Sequence, residues 1–306
     1  MLIDFYTGLT IVILLIFLGF FLSKIKIIND GSANFLSNFI LTVALPVAFF
    51  MSFPNEFNTQ DLKLFLWGIS GSIIVLTILI LLSQVIFSKK IVKKDNHEYK
   101  FAFAFNNTSF IGYPLVSTAF GADGLVVYAG FMLPWVITLF TYGVSLFKKD
   151  YNWIDTLKAL TNPNVIGIIL GAFVFIMGFN LPEVADRTLV LIAALTTPLA
   201  LFCIGFMLSK ANIKTLFKRW QVVFVCLLQL IFAPILTFII LKIINAPTIV
   251  ISVIVLMQML PTAATLALFN KKFKIKNTES GEIVTLSTLL SALTVPILIF
   301  ILLNNI

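Results

Sequence analysis

The stretch that decides the reading is Phe105-Asn106-Asn107-Thr108-Ser109-Phe110-Ile111-Gly112-Tyr113-Pro114-Leu115. Four consecutive polar side chains, Asn106 to Ser109, stand in the middle of a long apolar run, residues 99–119. Proline lacks a backbone donor and clashes with the carbonyl four residues back, here that of Phe110. Glycine lets the chain leave a helix at little steric cost. Asn and Thr side chains can bond the backbone groups freed in this way. The same groups can accept a cation or donate to a carboxylate. A proline-kinked helix whose Asn and Thr residues tie neighbouring helices together is the simpler alternative.

The surroundings make this a membrane problem. Of 306 residues, 60% are hydrophobic and 11% charged, against about 25% charged in soluble domains. That excludes a soluble globule, because too little polar surface remains to cover one. A membrane helix needs about 20 mostly apolar residues. Ten runs qualify: 5–22, 33–53, 62–87, 99–119, 124–147, 163–180, 186–208, 220–243, 247–269 and 281–303. The first carries Asp4, and its lysines Lys24 and Lys26 follow it, the wrong polarity for a signal peptide.

Charge supports the count. Numbering the connections 1 to 9, the odd ones hold Lys24 and Lys26; Lys89, Lys90, Lys93, Lys94 and Lys100; Lys148, Lys149 and Lys158; Lys210, Lys214, Lys218 and Arg219; and Lys271, Lys272, Lys274 and Lys276. These are 18 of the 21 basic residues, while the 13 acidic ones divide 7 to 6. A bias confined to Lys and Arg is the positive-inside pattern. It places the odd loops in the cytoplasm and both termini outside, in a multi-pass protein of the cell membrane. The net charge of +8 is therefore an orientation signal, and no nucleic-acid partner is expected.

A second break answers the first. Span 9 contains Gln258-Met259-Leu260-Pro261-Thr262-Ala263-Ala264-Thr265. Pro114 and Pro261 are 147 residues apart, Pro46 and Pro198 are 152 apart, and Gly124 and Gly281 are 157 apart. Span n thus pairs with span n + 5, and because five is odd the second half enters the membrane from the other side. This predicts an all-α integral membrane protein of two inverted five-helix repeats, residues 1–147 and 163–306. The cytoplasmic linker 148–162 carries Trp153, Ile154, Leu157 and Leu160 at helical spacing, suiting an amphipathic surface helix. Matching interruptions in two halves point to a substrate site near mid-membrane. No Asp, Glu, Lys or Arg lies in the central part of any span, so binding would use neutral dipoles and half-helix N-termini, which favour an anion. The candidate substrate-binding residues are Asn106, Asn107, Thr108, Ser109, Gly112, Pro114, Gln258, Pro261 and Thr262.

Other residues carry plainer expectations. Gln84 and Gln229 suit interhelical hydrogen bonds, Gly167 and Gly171 close helix packing, and Cys203 and Cys226 small buried hydrophobes. His97, the only histidine, is expected as a solvated loop residue. No metal site, cofactor or enzyme activity is expected, since no metal-ligand spacing, carboxylate pair or phosphate-binding loop is present.

The motifs Asn107 to Leu115, Asn162-Pro163-Asn164-Val165-Ile166-Gly167, Pro198-Leu199-Ala200 through Gly205, and Met259 to Ala264 resemble, in order along the whole chain, those of the auxin efflux carrier family, with bacterial malate/malonate permease-like members. The resemblance implies a bile-acid/sodium symporter-like fold of elevator type. Its scaffold part would comprise spans 1, 2, 6 and 7 and its transport part spans 3–5 and 8–10, with broken helices 4 and 9 crossing at the prolines. It implies a secondary transporter (permease) for a small organic anion, a mono- or dicarboxylate, working as a homodimer in the lipid bilayer. Asn106 or Asn107 would meet the carboxylate. The short linker and the Asn106-Asn107 pair depart from the plant pattern. The alternative is a sodium-coupled symporter, with oxygens from Asn106, Asn107, Thr108, Gln258 and Thr262 around a cation.

Overall fold

In lipid every backbone amide must find its partner within the protein, and the chain meets that demand with helices. A computed structural model describes residues 2–53, 59–88, 97–148, 150–210, 219–275 and 279–303. Among them the helices are α1 Leu2–Lys24, α2 Asp30–Phe50, α3 Thr59–Ile86, α4 His97–Ala104, α5 Thr108–Gly143, α6 Trp153–Leu160, α7 Pro163–Met177, α8 Glu183–Ser209, α9 Trp220–Ile243, α10 Thr248–Met259, α11 Thr265–Lys272 and α12 Glu279–Leu303. Among the described residues no strand forms beyond one isolated bridge. Six of the helices, α2, α3, α5, α8, α9 and α12, are long and apolar enough to cross a membrane; Thr10–Lys24, α7 and α10 are shorter apolar helices. Lys89, Lys90, Lys93, Lys94, Lys149, Lys214, Lys218 and Lys276, part of the charge pattern, lie outside the described residues.

Prolines leave a common mark. Wide π turns occupy Ile40–Ala44, Thr108–Gly112 and Leu228–Phe232. Each contains the residue four before a proline (Pro46, Pro114, Pro234), whose carbonyl the ring would strike in a regular helix. Pro198 behaves differently: it enters α8 three residues after the joint at Leu195, which keeps helical angles. Gly121 turns α5 sharply, with φ 59° and ψ −146°. No side chain tolerates that conformation well, so the glycine is what lets one helix become two legs.

The chain forms two compact units, each drawn from both sequence halves. The first holds Met1–Ile69, Ser109–Val136 and Leu160–Ala211. Its helices close on small residues, as membrane helices must when lipid offers no hydrophobic drive. A Cβ on Gly205 would lie 2.1 Å from the Ile16 carbonyl oxygen, and one on Gly19 2.5 Å from Phe202 Cα, so α1 and α8 touch backbone to backbone. Gly167 and Gly171 bring α7 equally close to Pro46 and Phe50 of α2, the packing expected of that pair. Phe49 stacks on Tyr128 at 5.6 Å. Cys203 is buried and free.

The second unit holds Ser70–Thr108, Ile137–Ala159 and Asn212–Ile306. Here α9 packs on α10 and α12, and α4 lies against α9, α11 and α12. Phe101, Phe105, Phe147 and Phe269 interlock around α4. Gln84 bonds the Tyr142 hydroxyl and accepts from Lys100 Nζ at 2.6 Å, an interhelical role as expected. His97 corrects the sequence reading: its ring sits edge-on to Phe147 at 4.9 Å, half-buried in this aromatic packing because it opens α4 instead of ending a loop. The linker helix α6 exposes Trp153, Ile154, Leu157 and Leu160, and Asn152 Oδ1 caps it by accepting from the Ile154 and Asp155 amides.

Candidate functional site

The site is built where two helices stop in the second unit. α4 ends at Ala104 and α10 at Met259, because each is followed by residues that leave helical geometry: Phe105 to Asn107 in one case, Leu260 to Ala264 in the other. The two interrupted stretches run antiparallel and pair as the isolated bridge Asn106–Thr262. Asn107 N–H donates to the Pro261 carbonyl at 2.6 Å, and Ala263 N–H to the Phe105 carbonyl at 2.9 Å. Backbone groups stranded by the breaks are thereby satisfied by each other, which explains how unwound chain survives at such a position. The helices that follow begin at Thr108 and Thr265.

Side chains complete the crossing. Asn106 Nδ2 donates to the Met257 carbonyl at 2.8 Å and to Gln258 Oε1 at 3.1 Å. Gln229 Nε2 donates to the Leu260 carbonyl, and its Oε1 accepts from Thr262 Oγ1 at 3.4 Å. Thr262 N–H donates to Ser287 Oγ at 3.1 Å. Asn106, Asn107, Thr108, Gln258, Thr262, Gln229 and Ser287 are all buried.

The two asparagines differ in a way the sequence could not resolve. Both Asn106 N–H donors are engaged within the protein, and its buried Oδ1 has no donor among the described residues. The Asn107 side-chain amide makes no hydrogen bond to the protein among the described residues, although its backbone holds the bridge. Five carbonyls at the break are engaged: Phe105, Met257, Leu260 and Pro261 accept protein donors, and Asn106 accepts the Thr108 N–H at 2.8 Å.

Of the nine candidate residues, Asn106, Asn107, Thr108, Gln258, Pro261 and Thr262 come together here. Ser109, Gly112 and Pro114 belong to the first unit. There Gly112 and Pro114 are buried, and the Pro114 carbonyl accepts from Ser117 Oγ at 3.0 Å and Thr118 Oγ1 at 2.8 Å. Gln229 and Ser287 were not foreseen as members. A lone glutamine mid-span and the Ser287-Thr288 pair in span 10 were the available signals. Among the described residues, no three His, Cys, Asp or Glu side chains cluster closely enough to hold a metal ion.

An all-helical chain with many apolar helices and a polar crossing of two broken ones defines a multi-pass membrane protein of the transport class. The membrane transport protein family matches residues 4–156 and 150–299, and the chain belongs to that auxin efflux carrier-like family. It is also similar to an uncharacterized transporter, MJ1031, of Methanocaldococcus jannaschii, with 22% identity over 96% of this chain and 97% of that protein.

Proposed function

We propose that the protein is a secondary transporter that moves a small organic anion such as a carboxylate across the cell membrane by alternating access. The observation that carries this reading is the Asn106–Thr262 bridge, where two helices end and two begin. Five carbonyls of the breaks, those of Phe105, Asn106, Met257, Leu260 and Pro261, already accept protein donors, while helix N-termini leave first N–H groups without intrahelical partners. The partial positive charge at helix N-termini favours an anion. The Asn107 amide, with two uncommitted N–H donors, is the side chain for the carboxylate, with Thr108 and Thr262 beside it in sequence and bridge. The Asn106 Oδ1 suits a hydroxyl on the same substrate. A sodium site would draw on the side-chain oxygens of these residues, and Gln258 Oε1 already accepts from Asn106 while Thr262 Oγ1 is bonded to Gln229, which makes the symporter alternative the weaker one.

The ten-span arrangement belongs to the same proposal. At 36 residues, α5 would be about 54 Å long, well beyond the roughly 30 Å hydrocarbon core. Its turn at Gly121 divides it into the second half of span 4 and span 5. Residues 99–104 of α4 then complete span 4, and α10 with residues 265–269 of α11 makes span 9. Two inverted five-helix repeats, joined by the linker 148–162, with both termini outside, an elevator motion and a homodimer through spans 1, 2, 6 and 7 complete the reading. Purified protein in proteoliposomes, screened with radiolabelled mono- and dicarboxylates with and without sodium, tests it. Saturable uptake of a carboxylate, lost in Asn107→Ala, is expected; no uptake of any, or uptake strictly requiring sodium, overturns it.

A further inference from the structure

The half-helices α4 and α11 are joined twice. Asn106, just after α4, pairs with Thr262, just before α11. Glu98 lies eight residues before Asn106, and Asn270 eight after Thr262, each about 12 Å away at the helical rise. These two also meet: Asn270 Nδ2 donates to Glu98 Oε1. Between the two joints Phe101 and Phe269 pack edge to face at 5.7 Å. A hydrogen-bonded clasp thus closes the far end of the helix pair whose near end forms the candidate site.

The clasp is a peculiar place for a carboxylate. Glu98 is fully buried. From α12, the Ser280 N–H bonds it and Glu279 adds a like charge. Glu279 itself accepts from the Tyr99 hydroxyl and from Arg219 Nη1 at 2.9 Å, and Arg219 Nε lies 3.7 Å from Glu282 Oε2. Two carboxyl groups, Glu279 and Glu282, therefore face one guanidinium, and Glu98 lies near enough to feel it. Lys271 and Lys272 follow Asn270 on α11, with side chains outside the described residues. Asn270 is itself buried, and its Oδ1 has no donor among the described residues. Glu98, Arg219, Asn270 and Glu279 each lie just outside an apolar span, 99–119, 220–243, 247–269 and 281–303, all on odd loops. Burial pushes the Glu98 carboxyl up to about 7; Glu279 adds to this, and the Asn270, Ser280 and Arg219 contributions oppose it.

We propose that Glu98 takes up and releases a proton coupled to anion transport, with Asn270 as the partner that holds both of its states. Ionised Glu98 accepts from the Asn270 Nδ2. Protonated Glu98 presents an O–H, and a half-turn of the amide brings the vacant Oδ1 to accept it. The clasp persists either way, while the buried charge appears or disappears. The proposal rests on the transport reading and names its coupling ion.

Two measurements test it. In proteoliposomes, with protein-free vesicles as baseline, an imposed pH difference should change carboxylate accumulation about tenfold per unit if one proton moves per anion, with the sign telling symport from antiport. Glu98→Gln keeps the shape and the acceptor, and should leave accumulation insensitive to the gradient. A wild type indifferent to the gradient, or a Glu98→Gln variant that responds like wild type, overturns the proposal. Infrared difference spectra of the purified protein should show a protonated-carboxyl band that titrates near neutrality and is missing in Glu98→Gln; its presence in both overturns the assignment. Should Glu98→Gln fail to fold, Asn270→Ala should shift that band's midpoint, and an unmoved midpoint counts against the clasp. If wild type moves no carboxylate at all, the transport reading falls, and the band alone decides whether Glu98 binds a proton.

Discussion

Asn106 and Asn107 are neighbours of one residue type, and truncating each should have opposite consequences. Asn106→Ala deletes the two donors that hold the Met257 carbonyl and Gln258 Oε1. A buried acceptor left unsatisfied costs about 1–3 kcal/mol, so two cost roughly 2–6 kcal/mol, a large part of the about 5–15 kcal/mol that holds a typical fold. Asn107→Ala removes no side-chain bond to the protein, and its backbone bond to Pro261 survives, so stability should change by less than about 1 kcal/mol. If its amide grips a carboxylate, that charge-assisted bond is worth about 1.5–3 kcal/mol, or roughly 10–150-fold in substrate affinity. The assays are thermal melts of the detergent-purified variants and uptake in proteoliposomes. Asn106→Ala should melt clearly lower; Asn107→Ala should melt like wild type and take up label poorly. An Asn107→Ala protein as unstable as Asn106→Ala, or one that transports normally, refutes the division of labour.

Other expectations are simpler. Gly205→Val should abolish recovery of folded protein, because a Cβ there meets the Ile16 carbonyl oxygen at 2.1 Å; Gly281→Ala, with nothing within 4 Å, should melt at or above wild type, as judged by size-exclusion profiles and melts. Cysteines at Lys158 and Val184 should label with impermeant reagents from opposite faces, Lys158 from inside; labelling of both from one face breaks the ten-span count. Raising the pH should destabilise wild type relative to Glu98→Gln. A folded carboxyl at about 7 against an ordinary value of 4.5 binds more protons than the unfolded chain between those values, so stability is present below 4.5 and lost as pH rises through about 7. Melts across that range check this, and parallel curves for the two proteins contradict it.

The sequence by itself determined that this chain is helical and lies in lipid, because composition and the length of apolar runs follow directly from the solvent the chain must satisfy. It also located both breaks, since glycine, proline and clustered Asn or Thr residues act on the backbone locally. It could not tell Asn106 from Asn107. Which amide is committed depends on the Met257 carbonyl and Gln258, about 150 residues away, and only a folded chain brings them within reach. Gln229, Ser287 and Glu98 were missed for the same reason. A glutamine mid-span or a glutamate beside lysines reads as glue or as loop charge until long-range packing shows what it touches. Tertiary structure alone decided that the broken strands of chain would satisfy each other across the crossing, and that a carboxylate at a span's edge would end up buried against an asparagine from the other half.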